Sequence, residues 1–159
     1  MIDYESIIST VIGVIRDSTG HKVIMENGTG KQPAYPFCTY TITSPYIPQH
    51  RGIIEGDAIT EDVDIFFSFT WISDDAIEVI SLTQQTASLL RTMKAKQVLY
   101  DKGIAFIKAE GTGNRDTFLS IENERRHGFD ARFRIRVTHN GAESEYFDSV
   151  TINNENIGG

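Results

Sequence analysis

The sequence predicts an α+β domain: a mainly antiparallel mixed sheet with two helices packed on one face and a C-terminal β-hairpin. Three observations carry this. Asp62–Ile72, D-V-D-I-F-F-S-F-T-W-I, alternates as a strand and sends Val63, Ile65, Phe67, Phe69 and Trp71 to one apolar face that needs a cover. Two amphipathic helical patterns, Asp3–Asp17 and one running from Ser73 to about Met93, supply that cover. Phe129–His139 alternates again and runs into Asn140-Gly141, the strongest hairpin-turn pair in the chain.

Taken in order, the first helix places Tyr4, Ile7, Ile8, Val11, Ile12, Val14 and Ile15 on one side. Asp3 is its cap, and Gly20 stops it. His21–Glu26 reads as a short strand closed by Asn27-Gly28-Thr29-Gly30. Pro33 and Pro36 lead into a second strand, about Tyr35–Thr43.

Ser44–Thr60 is the longest stretch without a period and reads as a loop. It carries Tyr46, Ile47, Arg51, Ile53 and Ile54. Apolar residues in such a loop suggest ordering against a partner. The alternative is that Ile53 and Ile54 fold back on their own domain or begin the next strand early.

The central strand's second face, with Asp64, Phe66, Ser68, Thr70 and Ile72, is mixed and suits partial cover by another subunit. Ser73 is the expected cap of the following helix, whose apolar side takes in Val79, Ile80, Leu82, Leu90 and Met93. A second helical piece, about Ala95–Lys102, closes at Gly103, and Ile104–Ala109 reads as a short strand. Glu110–Glu124 is a polar loop with a short strand at Phe118–Ile121. The Asn140-Gly141 register would set Arg136 opposite Glu145, Ile135 opposite Tyr146, Ala131 opposite Val150 and Phe129 opposite Ile152. The whole chain, residues 1–159, reads as one domain with a flexible tail over 153–159.

Composition bounds the function. The chain is 40% hydrophobic and 23% charged, with no run long enough to cross a membrane and no signal-peptide pattern at its start. The single cysteine, Cys38, rules out an internal disulfide. A net charge of −7 and a pI near 5.0 argue against wrapping of nucleic acid, which needs a basic footprint. An acidic wall is still compatible with a passage that DNA slides through.

Catalytic patterns are not found. His21, His50, His127 and His139 have no metal-ligand spacing among themselves or with Cys38. Gly28-Thr29-Gly30-Lys31 lacks the first glycine and the Ser/Thr of a phosphate loop. The acidic set Glu55, Asp57, Glu61, Asp62 and Asp64 is the one constellation suited to a divalent cation, and it reads better as a solvated strand entrance. Arg132, Arg134 and Arg136 share one strand face, preceded by Arg125 and Arg126. They suit cross-strand or inter-subunit ion pairs better than DNA phosphates in so acidic a chain.

The N-terminal helix, the strand entered through Q-P-A-Y-P-F, the central strand and helix, G-I-A-F-I, and E-R-R-H-G-F-D-A-R-F-R-I-R-V together resemble a known family. They are similar to the neck and tail-completion proteins of tailed bacteriophages, in particular the tail terminators. The R-x-G-F-D of Arg126–Asp130 is the most telling part. The resemblance implies a non-enzymatic virion protein of the tail or neck, made in the host bacterial cytoplasm, with no catalytic residue, metal or cofactor. It implies a homohexameric ring that caps the major tail protein's tube and presents a surface to the head-tail connector or stopper protein. DNA would pass through the bore without sequence-specific binding, and no membrane is involved.

On that reading Tyr46, Ile47, Arg51, Ile53, Ile54, Arg132, Arg134 and Arg136 are expected at partner or subunit interfaces, and Asp57, Asp62 and Asp64 at the bore. The alternatives are a head-completion or stopper protein one layer nearer the capsid, and a metal-dependent hydrolase built on Asp57, Asp62 and Asp64.

Overall fold

The computed structural model describes residues 1–117 and 123–141. In chain order it has α1 (Tyr4–Thr19), β1 (Val23–Met25), β2 (Phe37–Pro48), β3 (Ile53–Glu55), β4 (Ala58–Ser73), α2 (Ala76–Leu89), α3 (Met93–Tyr100), β5 (Ile104–Asn114) and β6 (Arg125–His139). The strands form one sheet in the order β1-β2-β4-β6-β5, and β3 adds to β4 on the side that β2 occupies further along. Among the described residues only β1–β2 is parallel; the other pairs are antiparallel. The fold is α+β, as the sequence predicts.

The central strand organises the core. Val63, Ile65, Phe67, Phe69 and Trp71 are fully buried, between Cys38 and Tyr40 of β2 and Phe129, Ala131, Phe133 and Ile135 of β6. Phe67 meets Phe133 edge-on at 5.4 Å, and Phe69 meets Phe129 at 5.6 Å. Each such ring withdraws enough apolar surface from water to contribute about 1.5–3 kcal/mol. The Trp71 indole N–H donates to Thr86 Oγ1 at 2.9 Å, so the one polar atom of this ring is satisfied inside the core.

Ile7, Val11, Val14 and Ile15 of α1 close that face together with Val79 and Leu82 of α2 and Ala95 and Leu99 of α3. Asp3 accepts from the Ser6 amide at 3.1 Å, and Gly20, at φ 75°, returns its N–H to Arg16. Both ends of α1 match the expectation.

Several expectations change. The cap of α2 is Asp75, which accepts from the amides of Ile77 and Glu78; Ser73 ends β4 and donates to Glu78 at 2.6 Å. α2 stops at Leu89, short of Met93, because Thr92 donates its hydroxyl to Leu89 and accepts from Ala95. One side chain thus terminates one helix and starts the next. The bend turns Met93 out to solvent, and Ile80 is half exposed, so the buried side of α2 is Val79, Leu82, Thr83 and Thr86.

The Ser44–Thr60 loop resolves into strand. β2 runs on to Pro48 through register shifts at Ser44 and Ile47, which erase the period. Pro45 and Pro48 are tolerated because β1 pairs with β2 only from Cys38 to Tyr40, leaving the rest of that edge unpaired. β3 and β4 then close around Gly56-Asp57, with Glu55 opposite Ala58 and Gly56 at φ 60°.

The strand at Phe129–His139 has two partners among the described residues. β6 is paired on both sides, with Ile135 between Val63 and Ile104 and Ala131 between Phe67 and Ala109. The C-terminal hairpin of the described residues is β5–β6, and the partners expected at Glu145, Tyr146, Val150 and Ile152 lie outside those residues. Glu110–Asn114 belongs to β5, whereas Phe118–Ile121, residues 144–152 and the tail at 153–159 lie outside the described residues.

Candidate functional site

The helices cover one face of the sheet, and the other carries a ladder of opposite charges. Asp64 stands directly across from Arg134 in the β4–β6 register, and Asp62 across from Arg136. Arg134 Nε donates to Asp64 Oδ1 at 2.6 Å, Arg134 Nη2 to Oδ2 at 3.1 Å, and Arg132 Nε also donates to Oδ2. Gln49 Oε1 accepts from both guanidiniums, at 3.1 and 3.2 Å, and ties the end of β2 to the ladder. Arg132 also lies over the Phe66 ring at 5.4 Å. Burial pushes the Asp64 carboxyl up, but the Arg134 and Arg132 hydrogen bonds outweigh it and hold it below its ordinary value.

Asp62 takes a fork from Arg136, at 2.9 and 3.1 Å, with His50 Nε2 at 3.1 Å. These hydrogen bonds, Arg136 first, lower its carboxyl to about 2. Further along the same face Arg115 reaches Asp130 at 3.1 Å and the hydroxyls of Ser68 and Thr70. The residues that sequence reasoning set apart, the arginines for an interface and Asp62 and Asp64 for a bore, are thus partners. Asp64 is fully buried beneath its two arginines, so an acidic wall would draw on Asp57 and on the Asp62 edge.

The motif Arg126–Asp130 lies in β6 beside this ladder. Gly128 passes so close to β4 that a Cβ there would stand 2.0 Å from the Phe69 carbonyl oxygen. No other residue fits. Asp130 is the partner of Arg115, and Arg126 binds Glu124 at 2.8 Å. The motif is a device for packing β6 onto β4 and fixing side chains on the open face.

Two further surfaces are apolar. The β3–β4 arm exposes Ile53, Ile54 and Ile59, with Glu55 and Asp57 at its tip. Arg51 is exposed in the turn before it. Ile47 is half-buried and opposite Asp64. Tyr46 donates to Glu61 at 2.7 Å, a bond that raises its phenol above the ordinary value and pins it to β4. At the opposite edge of the sheet, a groove of about 480 Å³ lies between α3 and β5, lined by Met93, Lys96, Gln97, Tyr100, Ala105 and Phe106. Sequence reasoning missed this groove. Its signal was Met93 and Tyr100, seven residues apart and so on one side of a helix, hidden because the reading put Met93 on the core side of the preceding helix.

Asp57 lies at the arm tip against Gly141, about 16 Å along the strand from Asp62 by strand rise. The oxygens of Asp62 and Asp64 meanwhile accept from guanidiniums. A cation held jointly by Asp57, Asp62 and Asp64 does not fit this geometry. Among the described residues no helix is long and apolar enough to cross a membrane.

A comparison with curated proteins gave no match. A family model described as phage neck terminator protein matches residues 4–159, nearly the whole chain. With its α+β sheet, open charged face and absorbed R-x-G-F-D motif, the chain belongs to the family of phage neck terminator proteins, structural proteins of the virion.

Proposed function

We propose that the protein acts as a ring, on the resemblance a hexamer, that caps the finished tail tube and joins it to the head-tail connector. DNA passes through the bore without being read, and the protein carries out no catalysis and needs no cofactor. The family match along residues 4–159 carries this reading. Three physical features support it. The net charge of −7 limits adhesion of a polyanion. The charges of the open sheet face are largely satisfied within the chain, so this face can approach a neighbour without stranding ions. The exposed isoleucines of the arm and the α3–β5 groove offer apolar area for subunit and tube contacts.

Within this reading Tyr46, Ile47, Arg51, Ile53 and Ile54 lie on or beside the arm that meets partners, and the outer ends of Arg132, Arg134 and Arg136 border a neighbour. Mass photometry of the purified protein and cryo-EM of virions test the proposal. The expected result is a closed ring at the top of the tail tube. A chain that stays monomeric even on tail tubes overturns it, and co-purification with the portal complex rather than the tube assigns the protein to the stopper layer instead.

A further inference from the structure

The arm and the groove have opposite character in charge and the same character in apolarity. Over the arm, residues 53–60, the chain carries Glu55 and Asp57 and no lysine or arginine. The groove's lining carries Lys96 and no acidic residue. Within each stretch large apolar side chains are left in water: Ile54 is 69% exposed, Tyr100 75% and Met93 81%.

Both places also present unpaired backbone. β3 pairs only with β4, and β5 pairs only with β6, so among the described residues each has an outer edge without a strand partner. An open edge next to apolar side chains is the arrangement to which another strand adds.

One chain cannot bring the two together. β3 lies beyond β4 and β5 beyond β6, on opposite sides of the sheet's central pair, roughly three strand spacings or about 14 Å apart. Complementary patches on opposite edges of one molecule generate head-to-tail contact between copies, which closes into a ring when the rotation allows.

We propose that the β3–β4 arm of one protomer docks in the α3–β5 groove of the next. Ile54 and its neighbours meet Met93, Tyr100 and Phe106, while Glu55 and Asp57 face Lys96 of α3. This assignment rests on the ring reading above and names the contact that would build it.

The test uses full-length protein with two surface variants, Ile54→Asp for the arm and Tyr100→Asp for the groove, each checked for an unchanged thermal melt. Mass photometry and light scattering then read the assembly. Wild type gives a ring, and each variant needs on the order of tenfold more protein to reach the same mass. An equimolar mixture of the two stops at a two-subunit species, because only one arm and one groove remain intact between them. A second pair, Glu55→Lys and Lys96→Glu, weakens assembly singly and restores it when combined in one chain.

Variants that ring like the wild type overturn the arm–groove contact and leave the ring reading standing. Wild type that forms no ring, free or on tail tubes, overturns the ring reading itself.

Discussion

Asp64 on β4 and Arg134 on β6 face each other across the sheet ladder, and the buried carboxylate of the first accepts from Arg134 and from the adjacent Arg132. The pair joins the two central strands on the side the helices do not cover. Removing the carboxylate strands two guanidiniums that are only partly solvated. Asp64→Ala is expected to cost about 1–3 kcal/mol, below the figure for a fully buried pair because both arginines reach water. Chemical denaturation measures it, and an unchanged midpoint would show the ladder to be decorative.

Acid should weaken the fold through the neighbouring rung. Hydrogen bonds from Arg136 and then His50 hold the Asp62 carboxyl at about 2, below its ordinary 3.8. A depressed carboxylate contributes stability in full above its unfolded pKa and loses it as pH falls through the folded one, here between about 4 and 2. Arg136→Ala should move the Asp62 titration, followed by carboxyl NMR, up toward the ordinary value. A titration that stays put in the variant would refute the assignment of cause.

Gly128→Ala should be among the most damaging small substitutions available. The added methyl meets the Phe69 carbonyl at 2.0 Å, and that oxygen belongs to the central strand's backbone and cannot swing away. A loss of about 3 kcal/mol or more is expected. Gly113→Ala, with nothing within 4 Å of the new carbon, serves as the matched control and should cost far less. Equal thermal melts for the two would contradict the close approach of β6 to β4.

Inside the core, Thr86→Val keeps the shape of the side chain but removes the acceptor for the Trp71 indole. A buried N–H without a partner costs about 1–3 kcal/mol. Val paired with Trp71→Phe should recover part of that loss, because the donor goes as well. A double-mutant cycle measures the recovery; strict additivity would mean that the bond contributes nothing.

What the sequence disclosed was local. The ends of α1 follow from Asp3 and Gly20, and the core face of β4 from its alternation over Val63–Trp71. Ser44–Thr60 shows no period because bulges shift it twice, although Gly56-Asp57 between Ile53-Ile54-Glu55 and Ala58-Ile59-Thr60 is a legible hairpin signal. The charge ladder could not be read at all by spacing. Asp62 and Arg136 are 74 residues apart, and only the β4–β6 register turns two separate charge clusters into one neutralised surface. The Phe129–His139 strand was plain, but its neighbours were not, since an alternating pattern does not say which strand takes either edge.

The two margins of the sheet are unequal. On one side β1 covers three residues of β2 and the open length of β2 beyond carries Pro45 and Pro48, whereas β5 offers eleven residues without a proline. A margin broken by prolines is a poor template for strand addition, which leaves the β5 flank as the better one. The protomer is in this sense a vector: it has a blunted side and a receptive side, and on the proposed contact each added copy would inherit the same heading.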